Sequence, residues 1–284
     1  MASSLPRRIA VAAVAIPAAF ALAWFGGWPL VVALQFLAVV GVNELLRFAE
    51  RRGARPLRPL ALAGALAAAP VAYGLVGFPA LAPAVALYGA VGWLLVVMSV
   101  AVVRRAPDAQ PLSAVAVTVF APLYAAVLPA FLVVLRHGTA HGRPGATALV
   151  FLPLVTIWAC DTAAMAGGAL IGGPKFAPVV SPKKTWAGTI AGSAVATVAA
   201  PLYGWLILSP AGVELPVPLL AGLGLLLSIV GQVGDLAESL FKREAGVKDS
   251  GGLFPGHGGV LDRLDSLFWA LPTTAAVLAA YGVL

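Results

Sequence analysis

Nine long apolar stretches follow one another along this 284-residue chain, separated by short segments that hold most of its charge. A lipid bilayer is crossed by about 20 apolar residues in helical form, because each backbone N–H and C=O must find its partner within the segment. The stretches cover residues 9–25, 28–48, 59–78, 80–103, 112–135, 146–171, 187–208, 217–240 and 264–283. The sequence therefore predicts an all-α polytopic membrane protein with about nine transmembrane helices.

The composition supports this fold class. Hydrophobic residues make up 61% of the chain and charged residues 10%, whereas soluble domains are about half apolar and about a quarter charged. The single cysteine, Cys160, excludes an internal disulfide, and no cluster of Cys and His offers a zinc site. The net charge of +7 is no sign of a nucleic-acid partner, because in a membrane chain the positions of the charges set the topology.

The N-terminus has two interpretations. Arg7 and Arg8 before an apolar run are typical of a cleavable signal peptide. That run, however, reaches Phe25 and leads through a short turn into a second apolar stretch, with no soluble domain behind it. We therefore expect a first transmembrane helix here.

The basic residues predict the orientation. Sixteen of the eighteen Lys and Arg residues fall on one side of the nine-span topology, and only Arg136 and Arg143 fall on the other. Cytoplasmic loops carry the excess of Lys and Arg, so the N-terminus and the charged loops are predicted to be cytoplasmic and the C-terminus outside. We divide the chain into an N-terminal region of about five spans, residues 1–145, and a C-terminal region of about four spans, residues 146–284, whose cytoplasmic loops carry the candidate site.

Charge is concentrated between residues 234 and 266. This stretch contains Asp235, Glu238, Lys242, Arg243, Glu244, Lys248, Asp249, Asp262, Arg263 and Asp265. Glycines around Pro255 and His257 interrupt any helix and let backbone N–H groups approach a bound anion. Carboxylate oxygens are the ligands that Mg²⁺ prefers. The stretch therefore predicts a metal and phosphate site.

The spacing within this stretch resembles that of the phosphatidate cytidylyltransferases, the CDP-diacylglycerol synthases. The matching positions are Ser239, Lys242, Arg243, Lys248, Asp249, Gly251, Pro255, His257, Gly258, Gly259, Asp262, Arg263 and Asp265. The resemblance extends from about Asp161 to Ser266. It implies transfer of the cytidylyl group of CTP to phosphatidate at a bilayer surface, with CDP-diacylglycerol and pyrophosphate as products.

A second stretch, residues 161–192, resembles the same family. Its core, Ser181-Pro182-Lys183-Lys184-Thr185, is similar to a Ser-Pro-x-Lys-Thr loop that follows an Asp-containing helix in family members. Paired lysines beside a span also fit simple anchoring at the membrane surface. The flanking hydroxyls favour phosphate binding, with the lysines as point charges. Asp161 lies inside a span, where an ionisable group indicates function, although a hydrogen bond to Thr162 or a neighbouring helix is the alternative.

Carboxylates three residues apart share a helix face, as Asp235 and Glu238 do, and Asp262 and Asp265 repeat this spacing. We expect Asp235, Asp262 and Asp265 to bind Mg²⁺, with a second cation left open. The residues expected to act in catalysis are Asp235, Asp262, Lys248, Asp249, His257 and Arg263. Those expected to bind substrate are Ser181, Lys183, Lys184, Thr185, Asp161, Lys242, Arg243, Gly258 and Gly259.

Two other functions remain as alternatives. A transporter or channel would line an ion path with Asp161 and Asp235, and a CTP-dependent lipid kinase would share the nucleotide and the membrane.

The spacings Gly168-x-x-x-Gly172 and Gly188-x-x-x-Gly192 fit close helix packing either within one subunit or in a homodimer.

Overall fold

The computed structural model describes residues 4–253 and 258–284, with side chains from residue 13 onward. In this part of the chain almost all regular structure is helical. The helices are α1 Ser4–Phe25, α2 Gly27–Arg51, α3 Arg58–Val76, α4 Ala82–Arg104, α5 Pro111–Pro122, α6 Leu128–His137, α7 Arg143–Leu170, α8 Trp186–Tyr203, α9 Val217–Glu244 and α10 Leu261–Ala280. Two short strands, β1 Lys175–Ala177 and β2 Ser181–Thr185, pair antiparallel between α7 and α8.

Seven of the described helical segments are long and apolar enough to cross a membrane. They are Gly27–Arg51, Arg58–Val76, Pro79–Arg104, Pro111–His137, Arg143–Leu170, Trp186–Leu208 and Val217–Glu244. The segment Pro111–His137 joins α5 and α6 through a π-helical turn, Leu123–Val127, which lies between Pro122 and Pro129. With α1 and α10, the described residues form about nine helical segments. The predicted all-α polytopic membrane fold is confirmed.

The contacts divide the chain into two compact units. The first unit contains Gly26–Val134, Glu244–Arg263 and most of α1. Within it, Leu30, Val31 and Leu34 of α2 pack with Ala69 of α3 and with Ala130 and Val133 of α6. The second unit contains Leu135–Arg243 and Leu264–Leu284. The segment that follows α9 thus belongs with the N-terminal helices, and the predicted division after residue 145 stays a prediction.

Glycines let the helices of the second unit approach closely. A Cβ atom at Gly188 of α8 would lie 2.5 Å from the carbonyl oxygen of Ala164 in α7, and one at Gly192 would lie 2.9 Å from that of Cys160. Both distances are too short for a real carbon atom. The glycine spacing of α8 therefore serves packing against α7 of the same chain.

The same helix-packing argument applies to α9 and gives a stability prediction. A Cβ at Gly224 would collide with the backbone carbonyl of Ala196 in α8, whereas one at Gly222 would meet open space. We expect Gly224→Ala to lower the free energy of unfolding by about 1–3 kcal/mol, because α8 and α9 must move apart. Thermal unfolding of the purified protein in detergent measures the change.

Gly222→Ala, two residues away on the same helix, is the matched control. It should leave the melting temperature unchanged or raise it slightly, because alanine is roughly 0.5–1 kcal/mol better than glycine inside a helix. Equal melting temperatures for the two variants would show that α8 and α9 do not pack as described.

Candidate active site

The position of Asp235 is set by the close approach of α9 and α10. A Cβ at the preceding residue, Gly234, would lie 2.7 Å from the carbonyl oxygen of Asp265 and 2.6 Å from Cδ1 of Trp269. Any larger residue at 234 would therefore push the helices apart. Because glycine stands there, Asp235 of α9 comes close to Asp265 in the second turn of α10.

Three carboxylates from three helices interact at this point. Asp235 repels both Asp161 of α7 and Asp265 of α10, and Asp161 and Asp265 also repel each other. We call Asp161, Asp235 and Asp265 the carboxylate cluster. Like charges at short range raise the free energy of the folded state unless cations lie nearby. The cluster therefore needs positive charge beside it.

Two lysines supply that charge. The Nζ atom of Lys184 lies 2.6 Å from Oδ2 of Asp235, with both side chains about one quarter to one third exposed (24% and 33%). Lys242 forms an ion pair with the fully buried Glu238 one turn before it on α9 and also attracts Asp265. The second unit thus brings together carboxylates and ammonium groups that the sequence places far apart.

The stretch Ser181–Thr185 is a β-strand, although the sequence suggested a loop. Lys183 is exposed on it, while Lys184 is partly buried. The buried Thr185 hydroxyl accepts a hydrogen bond from the backbone N–H of Gly188 at 3.1 Å and so caps the N-terminus of α8. The hairpin is also tied to α9, because Nε of Arg243 donates to the carbonyl oxygen of Val180 at 3.4 Å.

The glycine-rich residues after α9 form a second group, within the first unit. We call residues 248–253 and 258–261 the glycine segment. Oδ2 of Asp262 accepts hydrogen bonds from the backbone N–H of Ser250 at 2.7 Å and of Gly259 at 2.9 Å. Gly258 has a φ of +87°, and a Cβ there would collide with the Asp262 carboxylate. Asp262 therefore folds the segment around its own carboxylate.

Other predicted residues lie in or beside this segment. Lys248, Asp249 and Arg263 are exposed to solvent. Pro255 and His257 lie outside the described residues, so the expected role of His257 stays a prediction.

One buried carboxylate was missed by the sequence reasoning. Glu44 of α2 is 2% exposed and accepts hydrogen bonds from the hydroxyl of Ser250 and the backbone N–H groups of Val260 and Leu261. An acidic residue inside an otherwise apolar span was the available signal, since such residues are costly and functional by default.

The carboxylate oxygens of the cluster are of the type that binds a hard cation. In the described residues, however, they do not form a coordination shell. Carboxylate oxygens from three converging helices are the ligand type that Mg²⁺ takes. In the part of the chain that the structure describes, no three Asp, Glu, His or Cys side chains are already arranged to hold a metal ion. Asp235 is bound to Lys184 and Asp262 to Ser250 and Gly259. The predicted set of Asp235, Asp262 and Asp265 therefore stays a prediction.

The chain resembles known proteins over about half of its length. It is 50% identical over 140 residues to a protein of Brucella suis biovar 1 (strain 1330) named phosphatidate cytidylyltransferase, and this match covers 49% of this chain and 48% of the relative. A protein of the same name from Pseudomonas aeruginosa is 42% identical over 139 residues, which cover 49% of this chain and 50% of the relative. The chain thus matches about half the length of these relatives.

A broader comparison covers nearly the whole chain. The model of the cytidylyltransferase family matches residues 6–281. This range includes the N-terminal helices, the carboxylate cluster and the glycine segment. By the extent of this match, the chain belongs to the cytidylyltransferase family.

Proposed function

We propose that this chain transfers the cytidylyl group of CTP to phosphatidate, giving CDP-diacylglycerol and pyrophosphate, with Mg²⁺ as cofactor. The names of the similar proteins support the substrates. The observation that carries the proposal is the carboxylate cluster, with Lys184 and Lys242 beside it. Such a site suits a reaction between two polyanions, in which charge must be neutralised and no acid or base is needed.

The reaction requires little from the protein beyond positioning its two substrates and offsetting their charge. A phosphate monoester has a second pKa near 6, so phosphatidate is largely an oxyanion at neutral pH. Its oxygen attacks the α-phosphorus of CTP, a new P–O bond forms, and the bond to the β-phosphate oxygen breaks to release pyrophosphate. The residues of the chain bind and orient the two substrates and offset their negative charge.

The lysines of β2 and the carboxylate cluster each have a place in this scheme. Lys183 is exposed on β2 and Lys184 lies next to it, so both would contact the phosphates of CTP. Asp161, Asp235 and Asp265 would hold Mg²⁺, because a cation among them relieves their mutual repulsion. When bound, the ion supplies positive charge that stabilises the leaving pyrophosphate.

Labelled CTP tests the proposed reaction. Purified protein in mixed micelles with phosphatidate should move label from the α-phosphate into lipid and leave label from the γ-phosphate in water-soluble product. Label from the γ-phosphate in lipid would identify a kinase, and no label in lipid would remove the enzymatic proposal.

In the same assay, replacing Lys183 and Lys184 by Gln should raise the KM for CTP, because charged hydrogen bonds to phosphate are lost.

The carboxylate cluster gives a second prediction. Asp235→Asn and Asp265→Asn keep the size of each side chain but remove its charge, so the protein should fold while kcat falls by about 100-fold or more. The measurement is activity against Mg²⁺ concentration. Glu244→Gln is the matched control, because Glu244 is exposed at the end of the same helix as Asp235. Normal turnover with an unshifted Mg²⁺ dependence in either Asn variant would exclude that residue from metal binding.

We further propose that the site faces the cytoplasm in the cell membrane. The segment Pro111–His137 has 27 residues, about 40 Å of helix, which is enough to cross a bilayer. Asp108 and Ala140 are exposed at its two ends. The excess of basic residues favours a cytoplasmic location for the Asp108 end.

Single cysteines test this orientation. In a Cys160→Ala background, Ala140→Cys should react with an impermeant maleimide on intact cells, whereas Asp108→Cys should react only after permeabilisation. Reaction of both from outside would show that the segment does not cross the membrane. The reverse pattern would place the opposite end in the cytoplasm.

A further inference from the structure

A glutamate of the second helix is bound to the glycine segment more than 200 residues further along the chain. Glu44 lies inside the apolar span Gly27–Arg51 and is buried. Its Oε2 accepts hydrogen bonds from the Ser250 hydroxyl at 2.8 Å and the Leu261 N–H at 3.0 Å, and its Oε1 accepts one from the Val260 N–H at 3.1 Å. Three donors of one segment therefore converge on one carboxylate.

Two of these donors stand at the start of α10. Leu261 is the first residue of that helix, and the first N–H groups of any helix lack partners within it. The N-terminal end also carries the positive end of the helix dipole, so a carboxylate there is stabilising. Glu44 thus caps α10 from another helix.

Two glycines of the segment lie directly against the Glu44 carboxylate. A Cβ at Gly259 would lie 2.6 Å from Cδ of Glu44, and one at Gly251 would lie 3.0 Å from the same atom. Both would come still closer to Oε1 of Glu44. A side chain at either position would therefore displace the segment from Glu44.

The hydroxyl of Ser250 links Glu44 to a second carboxylate. It lies 2.8 Å from Oε2 of Glu44 and 2.9 Å from Oδ2 of Asp262. Asp262 in turn accepts from the N–H groups of Ser250 and Gly259. The segment is thus held on both sides, by α2 through Glu44 and by α10 through Asp262.

We infer that Glu44 is a positioning residue for cytidylyl transfer, acting through the glycine segment and the start of α10. The inference rests on the proposed function, because its effect on the reaction is exerted through Lys248, Asp249 and Arg263, which lie in or beside the segment and which the sequence predicts to act in catalysis. Removing the Glu44 charge leaves the N–H groups of Val260 and Leu261 with a weaker acceptor. The segment then shifts, and a shift of about 1 Å at a reacting group costs about 100-fold in rate.

Glu44→Gln is the main test. The amide keeps the size of the side chain, but its NH₂ group faces a donor whichever oxygen of Glu44 it replaces, because both oxygens accept hydrogen bonds. We expect kcat for the transfer of α-phosphate label to fall by about 100-fold. The KM for CTP should change less than kcat, because Lys183 and Lys184, which we propose to bind the phosphates of CTP, lie on a different element. Glu44→Asp keeps the charge on a shorter side chain and should recover part of the loss.

Glu50→Gln is the matched control. Glu50 lies on the same helix, is 39% exposed and pairs with Arg58 at 3.0 Å. Its replacement should leave kcat unchanged. An equal fall in kcat for the two glutamine variants would show that loss of charge on α2, and not the anchoring of the segment, is responsible.

Hydrogen exchange of the backbone amides supplies a readout that does not depend on activity. Glu44→Gln should speed exchange at residues 258–261 and leave the hairpin at residues 175–185 unchanged. Faster exchange in both regions would indicate that Glu44→Gln unfolds the protein generally. Ser250→Ala, which removes one donor to Glu44, then replaces Glu44→Gln as the test variant. Unchanged exchange at 258–261, or a wild-type kcat, in a folded variant would overturn the inference. A wild-type protein that transfers no label contradicts the proposed function, while the exchange data still decide whether Glu44 anchors the segment.

Discussion

The structure depends on one constraint: a carboxylate between apolar helices must be given a partner. Taking an ion out of water costs on the order of several kcal/mol unless opposite charge or hydrogen-bond donors replace the lost hydration. Asp235 meets this requirement with Lys184, Glu238 with Lys242, and Glu44 with a hydroxyl and two backbone N–H groups. Two of these partners, Lys184 and the glycine segment, lie in the polar stretches that the candidate chemistry needs. Acidic side chains of the helices therefore hold the polar stretches in place.

The helices could be predicted from the sequence, because spanning a bilayer depends on local hydropathy alone. The stretch between residues 234 and 266 could also be recognised, because its charges stand out in an apolar chain. The partners of these charges could not be predicted. Lys184 and Asp235 are separated by an entire helix, and Glu44 and Leu261 by 217 residues. Such pairs depend on tertiary packing, which local sequence patterns do not predict.

The hairpin shows a different limit of sequence reasoning. Ser181–Thr185 has no alternation of apolar and polar residues, which is the usual sign of a strand. Its C-terminal end is fixed beside β1: Thr185 caps α8, and the N–H of Trp186 donates to the carbonyl oxygen of Pro174 at 3.0 Å. The hydroxyl of Thr185, predicted to bind substrate, is thus already committed to a helix cap. Lys183 is exposed on this strand, and Lys184 is paired with Asp235; these two lysines are the groups that we propose for phosphate.

Asp262 and Asp265, in the first two turns of α10, make different interactions, although their spacing suggested a common role. Asp262 and Asp265 are three residues apart, which favoured a shared metal site. Asp262, however, accepts hydrogen bonds from the backbone N–H groups of Ser250 and Gly259, which lie in the glycine segment before the helix. Asp265 is beyond the first turn and interacts with Asp235 and Asp161 instead. Because the Asp262 carboxylate already binds the glycine segment, Asp265 is the stronger candidate for metal binding.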